Sequence, residues 1–527
     1  MRSALALLFA VPIFGGGPVS VGGPAAGGHA AGVATIVDDD VEQHLLNIAS
    51  APLEGRDSPS AGLTRAGDYI AERFAAAGVE GMGGAGGFRV PWSNRVAVPV
   101  KDGCRLRLEL EGGEEQRFVL GEDFTPVPMC EGEGEGPAIF VGFGIRSKKH
   151  KYDELKKAGL KGAVAVVLDG EPRHKRKFEG EIVTPEADVH VKVKNLIAED
   201  VEAVLIVRRP AADQPDGMER EGMGFRHTWA SWMPASGQRD PRISRSFDCP
   251  VLEITPEVAN RILGEDVLKL AAALDKSGKP AKAKKLDAYL HVASEIEKRS
   301  VSIDNIVGRI PGSDPDLADE YVVVGAHYDH VGVDVRGQIG YGADDNGSGT
   351  AALIEIAEAL AEAGPKRSVL LCAFSGEEDG LRGSRAMAGN PPVPKKQIVA
   401  MLNLDMVGRG KESEVVVLGA KQNPDLGKVL TRAKKLGKLK IKPLFGKAAR
   451  GADELWQRSD HYSFHEIGVP VLFFFEAVSI LDNSDYHTWR DTIDKLNVEK
   501  ITRTARLAYY TAWILAEDDK RPSPPRD

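Results

Sequence analysis

Apolar residues fall into different periodicities in successive stretches of this 527-residue chain. Across 35–75, Val41, Leu45, Ile48 and Ala49, then Ala66, Ile70, Phe74 and Ala75, recur at the three-and-four spacing of amphipathic helices. The glycine cluster at 81–87 punctuates that segment. From Phe88 to about Leu270 the texture shortens to strands at 104–110, 138–141, 162–168 and 203–207, parted by Gly/Pro turns and one charged helix expected over 153–158. Residues 258–275 and 498–518 predict further helices. From about 300 onward, strand-like runs alternate with helical patterns such as 349–363 and 425–436. That alternation predicts βαβ units and a mainly parallel sheet. Right-handed crossovers then bring the carboxyl ends of the strands to one face.

Those ends carry the chemistry. The run 321–326 (YVVVGA) leads into His327, Tyr328 and Asp329, and 367–374 ends in Ser375, Gly376, Glu377 and Glu378. A third run, 398–404, ends in Asp405, and 469–475 is followed by a loop with Tyr486, His487 and Thr488. A glycine-rich turn at 342–349 (GADDNGSG) adds Asp344 and Asp345. In open α/β sheets, ligands bind outside the carboxyl ends of the strands. Two divalent metals about 3.5–4 Å apart can share a nucleophilic water and clamp a tetrahedral intermediate. Such a pair wants one bridging carboxylate, with a histidine and a further carboxylate on each ion. His327, Asp345, Glu378, Asp405 and His487 supply that inventory. Imidazole with carboxylate suits zinc, the commonest choice, while cobalt or manganese could occupy the same set. Glu377 is left over beside a ligand, the place for a general base. A lone histidine after a buried strand is more often structural, but five ligand-type residues at four strand ends and one turn change that weighting.

Composition adds limits. A net charge of -9 is mild at this length and gives no reason to expect a nucleic-acid partner. The basic run at 173–177 has no interleaved aromatics and reads as a solvated face. Arg2 followed by the apolar stretch 4–14 and a Gly/Pro/Ala segment has the outline of a signal peptide, too short for a membrane span. It predicts a secreted or periplasmic protein, cleaved after Ala26 or Ala31. Four cysteines do not make a disulfide scaffold; Cys372 reads as a buried thiol, and one bridge among Cys104, Cys130 and Cys249 stays open.

With these residues in view, the chain resembles the M28 family of zinc aminopeptidases. The matching stretches are 325–332 (GAHYDHVG), 342–349 (GADDNGSG), 374–383 (FSGEEDGLRG), 402–409 (LNLDMVGR), 459–470 (SDHYSFHEIGVP) and 486–494 (YHTWRDTID). The resemblance implies that His327 and Asp405 hold one zinc, Glu378 and His487 the other, and that Asp345 bridges them. Asp344 would not bind. Glu377 would take a proton from the bridging water and return it to the leaving amine. Asp329 would anchor the imidazole of His327, and Asp460 would either tune the site or cap a loop. One branch of the family places an oxyanion-stabilising tyrosine where this chain has Trp456. His330, His461 and His465 read as packing near the cleft, and Arg409 as a substrate-side residue or a salt-bridge partner.

The stretches 121–126 (GEDFTP), 136–144, 160–168 and 250–254 resemble, more loosely, the protease-associated (PA) domain inserted in this family. The implied fold is α/β: a mixed, mainly parallel sheet sandwiched by helices, of the zinc aminopeptidase/phosphorylase-hydrolase-like type, with a β-rich PA insert. The expected divisions are a signal peptide and leader at 1–31, a helical part of the peptidase at 32–90, the insert at 91–285, the catalytic domain at 286–518 and a disordered tail at 519–527. Met218, Met223, Trp229, Trp232 and Met233 either form a lid or pack the insert. The expected activity is removal of N-terminal residues from peptides with a free N-terminus, using two divalent metal ions. Apolar lining from Phe473, Phe474, Phe475 and the loop around Ile480 implies a preference for Leu, Met or Phe. A carboxypeptidase or dipeptidase is the main alternative. A one-zinc glutaminyl-peptide cyclotransferase or a receptor-like binding protein would not need the full ligand set that this chain keeps.

Overall fold

The computed structural model describes residues 28–110, 115–127, 130–174, 177–178, 184–209, 247–333, 339–445, 455–476, 483 and 485–526. The aromatic and methionine cluster of 212–242, Ile480 and most of the leader lie outside them.

Two large sheets, each with its own core, make up the described chain. The first runs in the order 80–81, 296–310, 368–374, 321–327, 398–404, 471–475, 414–418, 442–444, with Arg89–Pro99 also paired to Ile296–Ile310. Its four central strands, Ser368–Phe374, Tyr321–His327, Ile398–Leu404 and Val471–Phe475, are mutually parallel and buried throughout. Strands buried on both faces need apolar residues at every position rather than every other one, which is why these segments read as unbroken runs. Helices Asp38–Ile48, Ala61–Ala76, Gly349–Ala363 and Val498–Glu517 share one core with the sheet. Helices Arg382–Gly389 and His461–His465 contribute Met387 and Phe464 to a second core that also holds Val323, Leu370 and Cys372. Along Tyr321–His327 side chains alternate between these cores, Val322 and Val324 to one and Val323 to the other, so helices cover both faces.

The second sheet takes the order 115–117, 105–110, 284–294, 132–140, 164–168, 203–207, 251–254, 124–126. Its middle strands are parallel and its core includes residues of helices Pro256–Leu263 and Val267–Ser277, so it is α/β in texture. The helix expected over 258–275 is two, parted at Gly264, whose φ of 69° ends the first.

Other expectations shift. Arg89–Pro99 pairs residue by residue with Ile296–Ile310, so the chain leaves the first sheet after Pro99 rather than at 91. A helix spans Gly28–Thr35, starting inside the expected leader and running past its end at 31: Gly32 lies so close to Ala359 that a Cβ there would sit 2.2 Å from its carbonyl oxygen. No helix forms over 153–158, because Glu154 turns inward to accept the N–H groups of Phe143 (3.0 Å) and Ile145 (3.1 Å), while Asp153 caps Leu155 and Lys156. The C-terminal segment is tied down: Arg521 pairs with Glu320 at 2.7 Å and Ser523 Oγ donates to Asp425 at 2.7 Å. All four cysteines are buried free thiols, so the possible bridge does not form.

Candidate metal centre

Every sequence-predicted ligand stands at a carboxyl end of the parallel strands or in the turn beside them. His327 closes its strand, and Thr350 Oγ1 holds its carbonyl at 2.8 Å. Asp405 follows Leu404. Asn346 ties that end to the Asp345 turn, donating to Leu404 O (2.9 Å) and accepting from Met406 N (3.1 Å) and Gly349 N (2.9 Å). Gly349 leaves room for this: a Cβ would sit 2.4 Å from Leu404 O.

Asp345 is the centre of the arrangement. Its Oδ1 lies 3.4 Å from His327 Nε2, which is 3.3 Å from Asp405 Oδ1. Its Oδ2 lies 3.0 Å from His487 Nε2, which is 3.0 Å from Glu378 Oε2. Two donor groups capable of holding a cation result: His327, Asp345 and Asp405, and His330, Asp345, Glu378 and His487. Three carboxylates packed among imidazoles call for compensating positive charge, and the mixed nitrogen–oxygen set fits a borderline divalent ion. Burial opposes a charge on His487, but Glu378 and Asp345 outweigh it and push its pKa up to about 10. Glu378 is pulled down to about 2, its burial overcome by His487 and a hydrogen bond from His330.

Glu377 faces the same cleft yet belongs to neither group. Burial drives its pKa well above the usual carboxylate range, and neighbouring Glu378 and Asp405 add to this against the pull of His327. Asp329 is fully buried, and its carboxylate accepts the N–H of Glu377 (3.2 Å) and of Glu378 (3.3 Å). His327 Nδ1 is nearer to the Asp329 carbonyl (3.2 Å) than to its carboxylate (3.6 Å). Asp329 therefore grips the Glu377–Glu378 turn as well as lying beside the imidazole.

Asp344 points away from both groups, accepting from Gly408 N at 2.8 Å. Asp460 is fully buried and pushed up to about 7, chiefly by that burial. His461 stacks on Phe473 at 4.4 Å and is held near 3 by burial, so it stays neutral. His330 does more than pack. Its Nδ1 is 2.9 Å from Glu378 Oε1, the ring being turned there by a loop whose His330 N–H bonds Arg56 O. Phe473 and Phe475 line the cleft with Met406 and Leu455, whereas Phe474 faces the opposite core.

Several residues escaped the sequence reading. Tyr486 and Arg458 line the cleft, with Arg458 Nη2 donating to Tyr486 Oη at 3.3 Å. Asp491 accepts the N–H of Asp344 (3.1 Å) and of Asp345 (3.0 Å). Arg56, fully buried, donates to the carbonyls of Ile48 (2.6 Å), Tyr328 (2.7 Å), Tyr341 (2.8 Å) and Gly342 (2.9 Å). Tyr486 and Asp491 flank His487 inside a motif already noted; Arg56 has no such flag.

The model of Peptidase family M28 matches residues 305–512, the stretch that carries every donor. Over residues 305–512, then, the chain is similar to the M28 peptidases. The chain is 35% identical over 209 residues to a "Probable leucine aminopeptidase" of Arthroderma otae, covering 38% of this chain and 56% of that protein. It is 28% identical over 262 residues to a "Probable zinc metalloprotease" of Pyrenophora tritici-repentis, covering 42% and 53%. The chain thus spans little more than half the length of these curated relatives. Among solved structures, the zinc aminopeptidase BSAP of Bacillus subtilis aligns over 93% of this chain and 98% of its own, at 19% identity and a TM-score of 0.54. An aminopeptidase from Aneurinibacillus sp. strain AM-1 aligns over 94% and 97%, at 18% identity and 0.51. These likenesses extend the fold beyond residues 305–512 to nearly the whole chain.

Proposed function

We propose that this protein is an exported dizinc aminopeptidase that removes residues from the free N-terminus of peptides. One observation carries the reading: the two oxygens of Asp345 face two separate donor groups, each with a histidine and a further carboxylate. His327 and Asp405 would hold one zinc, Glu378 and His487 the other, with Asp345 shared. The similarity to proteins described as a zinc metalloprotease and a zinc aminopeptidase supports the choice of ion. Bound there, two such ions would polarise the scissile carbonyl and acidify a water between them.

The chain's own residues do the rest. Glu377 lines the cleft with a carboxylate whose pKa burial holds above the usual range, suited to accept a proton from the attacking water and return it to the departing amine. Asp329 holds that carboxylate in place through the N–H groups of Glu377 and Glu378. Tyr486 faces the cleft with a hydroxyl that burial keeps protonated, available as a donor to a developing oxyanion. Met406, Leu455, Phe473 and Phe475 give the cleft apolar walls, suited to Leu, Met or Phe. The second sheet would be a PA domain that shapes access without supplying ligands, and the leader would direct export.

Arg458 in the same cleft favours a second reading, a dipeptidase, because a guanidinium can receive a substrate carboxylate. Aminoacyl nitroanilides, free dipeptides and their N-acetylated forms separate the two. We expect cleavage of leucyl nitroanilide, loss of cleavage on acetylation, and about two zinc equivalents in protein purified without chelator. Internal cleavage of acetylated peptides would sink the aminopeptidase assignment, and a demand for a free carboxylate would favour the dipeptidase.

A further inference from the structure

We propose that Arg409 is a positioning residue that holds the second donor group in shape by pinning the backbone on both sides of His487. This rests on the two-ion reading above. Arg409 contacts none of the donor atoms itself. Its Nη1 donates to Asp485 Oδ2 at 2.9 Å, two residues before His487, and its Nη2 donates to Asp491 Oδ1 at 3.2 Å, four residues after it. Its Nε lies 3.5 Å from Asp344 Oδ2, next to Asp345. Asp491 in turn accepts the N–H of Asp345 at 3.0 Å. One planar fork therefore fixes the distance between the turn bearing His487 and the turn bearing Asp345, from a stem four residues beyond Asp405. Lys500 Nζ donates to the Arg409 carbonyl and holds that stem.

The need for such a clamp is visible at His487, whose φ is 55°. A side chain with a Cβ is disfavoured in this left-handed region and persists there only where its surroundings enforce it. Within the turn, Thr488 returns two bonds to the Asp485 carbonyl, from N (3.1 Å) and Oγ1 (2.8 Å), but these close the turn without tying it to the sheet. Arg490 also holds Asp485, at 3.0 Å, from the same segment. Arg409 links the segment to the strand end bearing Asp405. Lysine has a point charge and cannot span both carboxylates in this way.

The test is zinc titration of the metal-free full-length protein against a competing chromophoric chelator, which resolves two dissociation constants. Arg409→Ala should weaken one constant by about 10–100-fold, the usual effect of losing an outer partner of a metal ligand. The other constant, from His327 and Asp405, should stay within about threefold. Arg409→Lys should fall between the wild type and Arg409→Ala. Should Arg409→Ala fail to fold, Asp485→Asn weakens one arm at constant shape by replacing its carboxylate with a neutral amide, and should shift the same constant in the same direction. Both constants unchanged, or both weakened alike, would overturn the proposal. A wild type that takes up a single equivalent removes the two-ion reading and this inference together; two unchanged constants in the variants remove the inference alone.

Discussion

Arg56 offers the sharpest test of how this centre is built, because it lies far outside residues 305–512 and its guanidinium bonds main-chain carbonyls rather than any donor side chain. Its guanidinium is fully buried and satisfies four main-chain carbonyls, three of them in the loops that follow His327 and precede Asp345. Burial lowers its pKa to about 10, with Asp329 and Asp345 acting in the opposite sense, so it remains charged at neutral pH. Arg56→Met fills similar space and removes every donor. Charge-assisted hydrogen bonds contribute about 1.5–3 kcal/mol each. A simple sum overshoots, because deleting the arginine also deletes its own desolvation penalty. Removing one partner from a buried charged network costs about 3–5 kcal/mol.

A local loss of about 4 kcal/mol corresponds to roughly a thousandfold faster opening equilibrium, at 1.36 kcal/mol per decade. Hydrogen exchange followed by mass spectrometry reads this directly and does not require the whole chain to unfold in one step. With chelator present, amides of 321–330 and 340–350 should exchange faster by that order in Arg56→Met. Amides of Ala203–Val207, in the other sheet, should not change. Exchange within threefold of wild type in both loops would refute the idea that Arg56 organises them.

Two further outcomes follow from the same structure. Glu377→Gln should keep its metal and lose about 10²–10⁴ in turnover, whereas Glu378→Ala should lose metal; equal metal contents would erase the division between base and ligand. Lys192 is buried, donates to Leu168 O at 2.9 Å, and is lowered by burial to about 8 from 10.5. Between those values the unfolded chain is protonated and the folded one is not, so stability should rise with pH from about 8 to about 10.5, by up to roughly 3 kcal/mol. The difference in melting between wild type and Lys192→Met should show that slope, and parallel curves would refute it.

The sequence displayed the parallel strands and their ligands because both signals are local: an unbroken apolar run, then a histidine or carboxylate at its end. It could not display Arg56, whose partners are carbonyls up to 286 residues away, since a carbonyl is the same whatever residue carries it. The run 473–475 read as one apolar wall, but a strand sends alternate side chains to opposite faces, which splits Phe474 from its neighbours. The missing helix at 153–158 fails for a related reason. Glu154 has a helical residue's composition, yet four donors, Phe143 N, Ile145 N, Ala281 N and Tyr152 Oη, draw its carboxylate inward. Arg409 was legible as a charge and not as a clamp, because Asp485 and Asp491 become its neighbours only after the fold closes.

The second sheet can be removed on paper without crossing either core, and this predicts that it can be removed in the protein. Its two apolar clusters draw only on residues between Cys104 and Val292, and the clusters around the metal centre draw on none of these. The chain leaves and re-enters at adjacent points: Pro99 pairs with Ile296, and Val100 N donates to Glu295 O at 3.0 Å. An antiparallel pair of this kind is what a two-residue Asn-Gly turn joins, so replacing residues 101–294 by such a turn continues an existing hairpin without stretching it. Both donor groups remain in the shortened chain, as do Arg56, Trp92 and Asn94. Trp92 Nε1 donates to Ser375 Oγ at 2.9 Å and Asn94 Nδ2 to Asp379 at 3.2 Å, on either side of Glu377. The shortened protein should bind zinc with the stoichiometry of the full chain and cleave leucyl nitroanilide. Its discrimination between short and long peptides should change, which tests the access-shaping role proposed above for the second sheet. A soluble, folded variant that bound no zinc would mean that the second sheet holds the centre together, and the division of labour drawn here would fail.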